Sequence, residues 1–111
     1  MKKIAIIIPT YDESENIKKL IKGIMNCLRN VIIYIVDDSP TPEISKLINP
    51  NSKNIKYFYR KNKRGRGSAV LFGIKRALRN KQTNLIIEMD ADFSHNPNEL
   101  EKKIEYFKKK T

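Results

Sequence analysis

Two aspartates separated by a single alanine, Asp90 and Asp92, follow the largely apolar stretch at residues 85–89 and are the first candidates for chemistry. In extended backbone, residues i and i+2 project to the same side about 6.5–7 Å apart, and a slight bend lets both carboxylates reach one ion. Two carboxylates are a sparse set for calcium, which takes about six to eight oxygens, and are the wrong donors for structural zinc. Mg2+ or Mn2+ suits them better, because such ions keep several waters and complete their shell with substrate phosphate oxygens. A diphosphate ligand follows from that chemistry, and Ala91 leaves room for it. A bare Asp-x-Asp is also a common turn at the end of a strand, and for the pair taken alone that reading stands beside the first.

Other polar groups fit a nucleotide. Tyr11 offers a ring for stacking and Glu13 an acceptor, while Asp37 and Asp38 stand where a Rossmann-type site accepts hydrogen bonds from ribose or base. Gly65 and Gly67 let a backbone turn sharply or approach closely. Competing chemistries lack their residues. There is no G-x-x-x-x-G-K-[ST], and the glycines from Gly65 onward do not have dinucleotide-fingerprint spacing. With His95 the sole histidine and Cys27 the sole cysteine, neither zinc hydrolysis nor thiol–histidine catalysis has a basis, and His95 fits a turn as well as a catalytic role.

The elements that must position these groups alternate regularly. Residues 4–8 read as a buried strand, and Ile17, Leu20, Ile21, Ile24, Met25 and Leu28 then recur at helical spacing. Asp12 with Glu15, or Ser14 alone, is placed to cap that helix. Residues 31–36 form the second strand, and a short helix starts at Pro42. Residues 55–59 alternate instead of running continuously apolar, which predicts a strand at the sheet's edge. Val70, Ile74, Ala77 and Leu78 mark a third helix, and residues 85–89 the fourth strand. A last helix starts at Asn96-Pro97-Asn98-Glu99, with Leu100, Ile104 and Phe107 on one face and lysines 108–110 complementing the negative end of its dipole.

Strand–helix units in succession require crossover connections, hence an α/β, Rossmann-like fold with a mostly parallel four-stranded sheet and helices on both faces. The expected strand order is 3-2-1-4, in one domain spanning 1–111. Every polar motif then falls at a carboxyl strand end, the edge where open parallel sheets bind ligands, and the switch point lies between strands one and four.

Charge and composition bound the partners. The 40% apolar and 32% charged residues are ordinary for a soluble globular domain, and no apolar run approaches the roughly 20 residues of a membrane-spanning helix. The opening Met1-Lys2-Lys3 and its short apolar run meet Pro9-Thr10-Tyr11 and not a small-residue cleavage site, as a first strand does and a signal peptide does not. A single cysteine excludes an internal disulfide and suits a reducing, cytoplasmic compartment. Of 23 basic residues, twelve lie in the interval 44–87, which has no acidic residue. They crowd at Arg60, Lys61, Lys63, Arg64 and Arg66, a patch that attracts a phosphate group, a nucleic acid or an acidic membrane surface, or else a solvated face.

On these motifs the chain resembles the inverting family 2 glycosyltransferases of the GT-A fold. Pro9-Thr10-Tyr11-Asp12-Glu13, Val36-Asp37-Asp38-Ser39 and Asp90-Ala91-Asp92 stand in that family's order. Met89-Asp90-Ala91-Asp92-Phe93-Ser94-His95-Asn96-Pro97, together with Gly65-x-Gly67-x-Ala69, resembles its dolichyl-phosphate (polyprenyl-phosphate) mannosyltransferases and their glucosyl relatives. The resemblance implies transfer of a hexose, mannose first, from GDP-mannose to a polyprenyl or dolichyl phosphate. It sets Pro9, Tyr11, Glu13, Val36 and Asp38 against the guanosine, and Asp90, Ala91 and Asp92 against the diphosphate. Asp90 and Asp92 would hold Mg2+ or Mn2+ and serve as the catalytic pair.

An acceptor phosphate monoester, with a second pKa of about 6, is already anionic and needs no strong general base. The likeness covers only the amino-terminal, nucleotide-binding half of that family's catalytic domain. It therefore implies a domain incomplete at its carboxyl end, a partner subunit or further segment that completes it, and peripheral contact with the cytosolic face of a membrane. Two departures stand out: the strand-two motif lacks the family's Asp-Gly-Thr continuation, and Arg64 and Arg66 make the glycine loop more basic than usual. The alternatives are a TOPRIM-like metal-dependent nucleic-acid enzyme, although no nucleic-acid partner is expected, and a non-catalytic nucleotide-sugar-binding fragment or subunit.

Overall fold

A computed structural model of the chain describes residues 3–62 and 65–91. Asp92, His95 and the helix expected from Asn96 lie outside the described residues, as do Lys63 and Arg64. The described elements run β1 (Lys3–Thr10), α1 (Ser14–Cys27), β2 (Val31–Asp37), a single 3-10 turn (Glu43–Leu47), β3 (Ile55–Tyr59), α2 (Arg66–Ala77) and β4 (Thr83–Glu88).

The strands form one sheet in the order β3-β2-β1-β4, and every described pairing is parallel. β1 and β2 are central and buried on both faces, which is why they read as unbroken apolar runs. β3 lies on an edge, as expected, but its burial does not alternate: Lys56 is exposed and the other four residues are half-buried. Register aligns the carboxyl ends, with Thr10 opposite Asp37 and Asp37 opposite Tyr59. β4 stops earlier, at Glu88 opposite Ile7, and the Met89 N–H still donates to the Ile7 carbonyl at 2.9 Å.

Helices cover both faces. On one, Ile17, Leu20 and Ile24 of α1 meet Ile6, Ile8, Ile33 and Ile35, with Ile44 of the 3-10 turn and Met89 closing the ends. Each such fully buried isoleucine or leucine contributes about 1.5–3 kcal/mol. On the other face α2 lies over Ala5, Ile7, Ile32 and Tyr34.

The α2 contact differs from the one expected. Its buried line is Ala69, Gly73 and Ala77; Val70 and Ile74 are half-buried, and Leu78 is 63% exposed beyond the helix. A Cβ on Gly73 would stand 2.5 Å from Ile7 Cγ2, so the small residues let the helix settle close to the sheet. That depth brings the first turn of α2 to the carboxyl edge.

The α1 expectations need two corrections. Met25, expected on the buried face, is 39% exposed. Neither Asp12 nor Ser14 caps the helix: its N-cap is Glu13, without a side-chain cap, and Asp12 has φ 55°. A left-handed residue cannot hold the extended backbone that an N-cap uses, and the Asp12 N–H donates instead to Ser39 Oγ at 2.8 Å. Among the described residues no helix is long and apolar enough to cross a membrane.

Candidate functional site

A cleft of about 390 Å3 opens at the carboxyl edge, across the switch point between β1 and β4. The end of β1 supplies Pro9, Thr10, Tyr11 and Glu13, and the end of β2 supplies Asp38. Gly65, Arg66 and Ala69 form the wall at the start of α2, and Asp90 with Ala91 follows β4. The structure thus gathers Pro9, Tyr11, Glu13, Asp38, Asp90 and Ala91 from the sequence-derived set. It does not bring the Val36 side chain there, which is fully buried beneath α2 beside Gly73. Asp92 lies outside the described residues.

Asp37 and Asp38 are adjacent in sequence and separate in role. Asp37 is wholly buried and accepts from Thr10 Oγ1 (2.9 Å), the Ser39 N–H (3.1 Å), Ser39 Oγ (2.5 Å) and Tyr57 Oη (2.6 Å). A buried carboxylate needs such donors, and these tie the ends of β1, β2 and β3 together. Burial, and then the bond to Asp37, push the Tyr57 hydroxyl well above the usual phenol range. Asp37 therefore frames the site, whereas the sequence placed it beside Asp38 as a ribose or base acceptor.

Asp38 faces the cleft wall, and Arg60 grips it with two parallel bonds, Nε to Oδ1 at 2.7 Å and Nη2 to Oδ2 at 2.6 Å. Arg60 Nη1 also donates to Ser68 Oγ at 3.0 Å, and the guanidinium lies 5.7 Å from the centre of the Phe72 ring. The bond to Asp38 raises the Arg60 pKa above its ordinary value. A charge assigned by sequence to an anion-attracting patch is thereby engaged inside the protein.

Arg66 has the same fate in a more open place. Its Nε donates to Asp90 Oδ1 at 2.9 Å, and its Nη2 forms ion pairs with both Asp90 and Glu88. The bond to Asp90 raises its pKa above the ordinary value. The sequence marks Arg66 only as a basic loop residue and does not single out Glu88. The signal for Glu88 was the acidic alternation at 88, 90 and 92.

Of the two loop glycines, Gly65 has φ 142°, a conformation that disfavours any side chain, and it starts α2. Gly67 sits inside the first turn with nothing within 4 Å of an added Cβ, so no such need applies to it.

Among the described residues no group of three or more His, Cys, Asp or Glu is arranged to hold a metal. The donors present are nevertheless of the right kind. Glu88 and Asp90 are hard carboxylates converging on one cation, Arg66, at the cleft, and such oxygens suit Mg2+ or Mn2+.

The model of glycosyl transferase family 2 matches residues 5–111. The chain belongs to glycosyltransferase family 2. Within that family it is 36% identical, over 110 residues, to a dolichol-phosphate mannosyltransferase of Pyrococcus furiosus, a match covering 96% of this chain and 30% of that protein. It is 33% identical over 99 residues to a polyprenol monophosphomannose synthase of Mycolicibacterium smegmatis, covering 86% of this chain and 37% of the relative. An undecaprenyl-phosphate 4-deoxy-4-formamido-L-arabinose transferase of Pectobacterium carotovorum is 26% identical over 115 residues, 96% of this chain and 34% of that one. The chain spans about a third of the length of these relatives. For this family 2 member, the 3-2-1-4 parallel sheet is the Rossmann-like half of a GT-A fold. Family membership sets the TOPRIM-like alternative aside.

Proposed function

We propose that the cleft binds the nucleotide diphosphate of a sugar donor, GDP-mannose first among candidates, and that the chain serves hexosyl transfer to a polyprenyl or dolichyl phosphate with inversion. The observation that carries this reading is the convergence of Pro9, Tyr11, Glu13, Asp38, Asp90 and Ala91 on one cleft at the switch point. The names of the two mannosyl relatives support the choice of sugar and acceptor.

In this reading the Tyr11 ring, 37% exposed, stacks on the base and Glu13 accepts from the nucleoside. Asp38 accepts as well; Arg60 fixes its plane and leaves each oxygen a further lone pair. Val36 contributes through its main chain. Asp90, with Asp92, holds Mg2+ or Mn2+, and when bound that ion offsets charge on the departing diphosphate. An acceptor phosphate oxygen forms the new bond to the anomeric carbon as the bond from that carbon to the diphosphate breaks, and GDP leaves. No strong base is required, because the nucleophile is already anionic. Residues 1–111 act as one nucleotide-sugar-binding domain, and further chain or a partner subunit supplies the acceptor side at a membrane surface.

Calorimetric titration of the folded protein with GDP-mannose, GDP-glucose and UDP-glucose, in Mn2+ and again in EDTA, tests the reading. The expected result is binding of GDP-mannose that EDTA abolishes. Absence of any metal-dependent nucleotide-sugar binding overturns it. Binding without mannose transfer to polyprenyl phosphate would identify residues 1–111 as a donor-binding unit that does not complete the transfer by itself.

A further inference from the structure

Arg66 occupies the carboxylate that a divalent ion would need. Its guanidinium bonds Asp90 Oδ1 through Nε at 2.9 Å and forms ion pairs with Asp90 and Glu88 through Nη2. One positive charge is thus set between two negative ones at the cleft wall, beside the first turn of α2. A metal ion arriving at the same Asp90 oxygen would stand within a few ångströms of the guanidinium, and like charges at that range repel. Metal alone and Arg66 alone therefore compete for Asp90.

A diphosphate changes the balance. It brings negative charge that both cations can share, and a planar guanidinium matches phosphate oxygens with paired N–H groups. The pair can part at small cost, since the Arg66 side chain is 54% exposed, and exposed ion pairs hold weakly.

We propose that Arg66 is a positioning residue that holds Asp90 toward the cleft in the donor-free protein and yields it to the metal as the diphosphate arrives, turning its own guanidinium onto the phosphates. Arg66 thereby opposes binding of the metal by itself and favours binding of metal and diphosphate together, a positive coupling between the two ligands. The proposal rests on reading the cleft as a diphosphate site.

The test uses Arg66→Gln and Arg66→Lys in the full chain, with circular dichroism to establish folding and Asp90→Asn to locate the metal. Mn2+ affinity without nucleotide is read by electron paramagnetic resonance. Affinity for inorganic pyrophosphate in saturating Mg2+ is read by calorimetry. Arg66→Gln is expected to bind Mn2+ about two- to five-fold more tightly and Mg2+–pyrophosphate about ten-fold more weakly. Arg66→Lys should fall between wild type and Arg66→Gln in both assays, and Asp90→Asn should lose the Mn2+ signal. A general structural defect would weaken both affinities; opposite signs are the signature of the exchange. Unchanged or weaker Mn2+ binding in Arg66→Gln, Mn2+ binding untouched by Asp90→Asn, or pyrophosphate binding that is absent in wild type or not weakened in Arg66→Gln overturns the proposal. Pyrophosphate carries no sugar or base, so its binding in a protein that rejects GDP-mannose would leave this inference standing while the proposed function fell.

Discussion

At the end of β2, Asp38 and Arg60 form an ion pair whose side chains are 3% and 10% exposed; at the end of β4, Asp90 and Arg66 form another, 30% and 54% exposed. The chemical partners are the same and the surroundings are not. Arg60 is held on three sides, by Asp38, by Ser68 and by the Phe72 ring, and its own N–H donates to the Asp37 carbonyl at 2.9 Å. Arg66 reaches two carboxylates from the rim of the cleft, with half its surface in water. A buried charge pair is difficult to take apart because either partner left alone lacks solvation, whereas an exposed pair exchanges one partner for water at little cost. The first pair fixes the cleft's shape, and the second is free to rearrange when a ligand enters.

Breaking the buried pair is the largest test of this contrast. Arg60→Ala leaves Asp38 buried without its cation and is expected to cost about 3–5 kcal/mol, read as a lowered urea midpoint. Arg60→Lys should recover only part of that, because an ammonium cannot make the two parallel bonds to Asp38. A loss below about 1 kcal/mol for Arg60→Ala would place the pair with ordinary surface pairs and remove the distinction.

The frame beneath the two pairs gives effects of intermediate size. Tyr57→Phe takes one donor from the buried Asp37 and should cost about 1–3 kcal/mol. The folded-state pKa of Tyr57 is raised, so the stability it contributes is fully present below the unfolded phenol value of about 10 and is lost as pH rises above it. The alkaline fall in wild-type stability should consequently be shallower in Tyr57→Phe, as denaturation curves between neutral and alkaline pH would record. Gly73→Ala puts a methyl group against Ile7 and should cost about 1–3 kcal/mol. Lifting α2 displaces Ser68 and Arg66 together, so this variant should also weaken nucleotide binding in calorimetry, which Tyr57→Phe affects less.

The sheet was legible in the sequence because its central strands β1 and β2 are buried on both faces, while β3, at an edge, leaves Lys56 exposed. The unbroken runs at 4–8 and 31–36 and the alternation at 55–59 mark centre from edge; the crossovers make the sheet parallel without fixing its order, and the order found is the 3-2-1-4 expected. The face of α2 was legible only in part: Ala77 is fully buried and Ile74 packs against the same cluster, as their spacing predicts. Its contact line is Ala69, Gly73 and Ala77, which carry little hydropathy signal, while the bulky Leu78 that seemed to mark the face is exposed. Strand-end position was enough to collect Tyr11, Glu13, Asp38 and Asp90 at one edge. It could not reveal which arginine each carboxylate meets, since Asp38–Arg60 and Asp90–Arg66 join residues 22 and 24 apart through the path of β3 and α2. The sequence presents the basic residues as one patch, and two of them are paired with carboxylates, Arg60 inside the fold and Arg66 at the rim of the cleft.

The smallest effect belongs to the exposed pair and sharpens the contrast from the other side. Arg66→Gln removes a cation from two carboxylates, and if that pair supported the fold the variant would resemble Arg60→Ala. Asp90 and Glu88 are 30% and 36% exposed, however, so water and salt can take the place of the guanidinium. The urea midpoint of Arg66→Gln should correspond to a change within about 0.5 kcal/mol of wild type, and added salt should narrow even that difference. A large loss would mean that Asp90 depends on Arg66 as Asp38 depends on Arg60. The guanidinium could then not leave without unfolding the cleft, and the exchange with a metal ion would have no low-cost route.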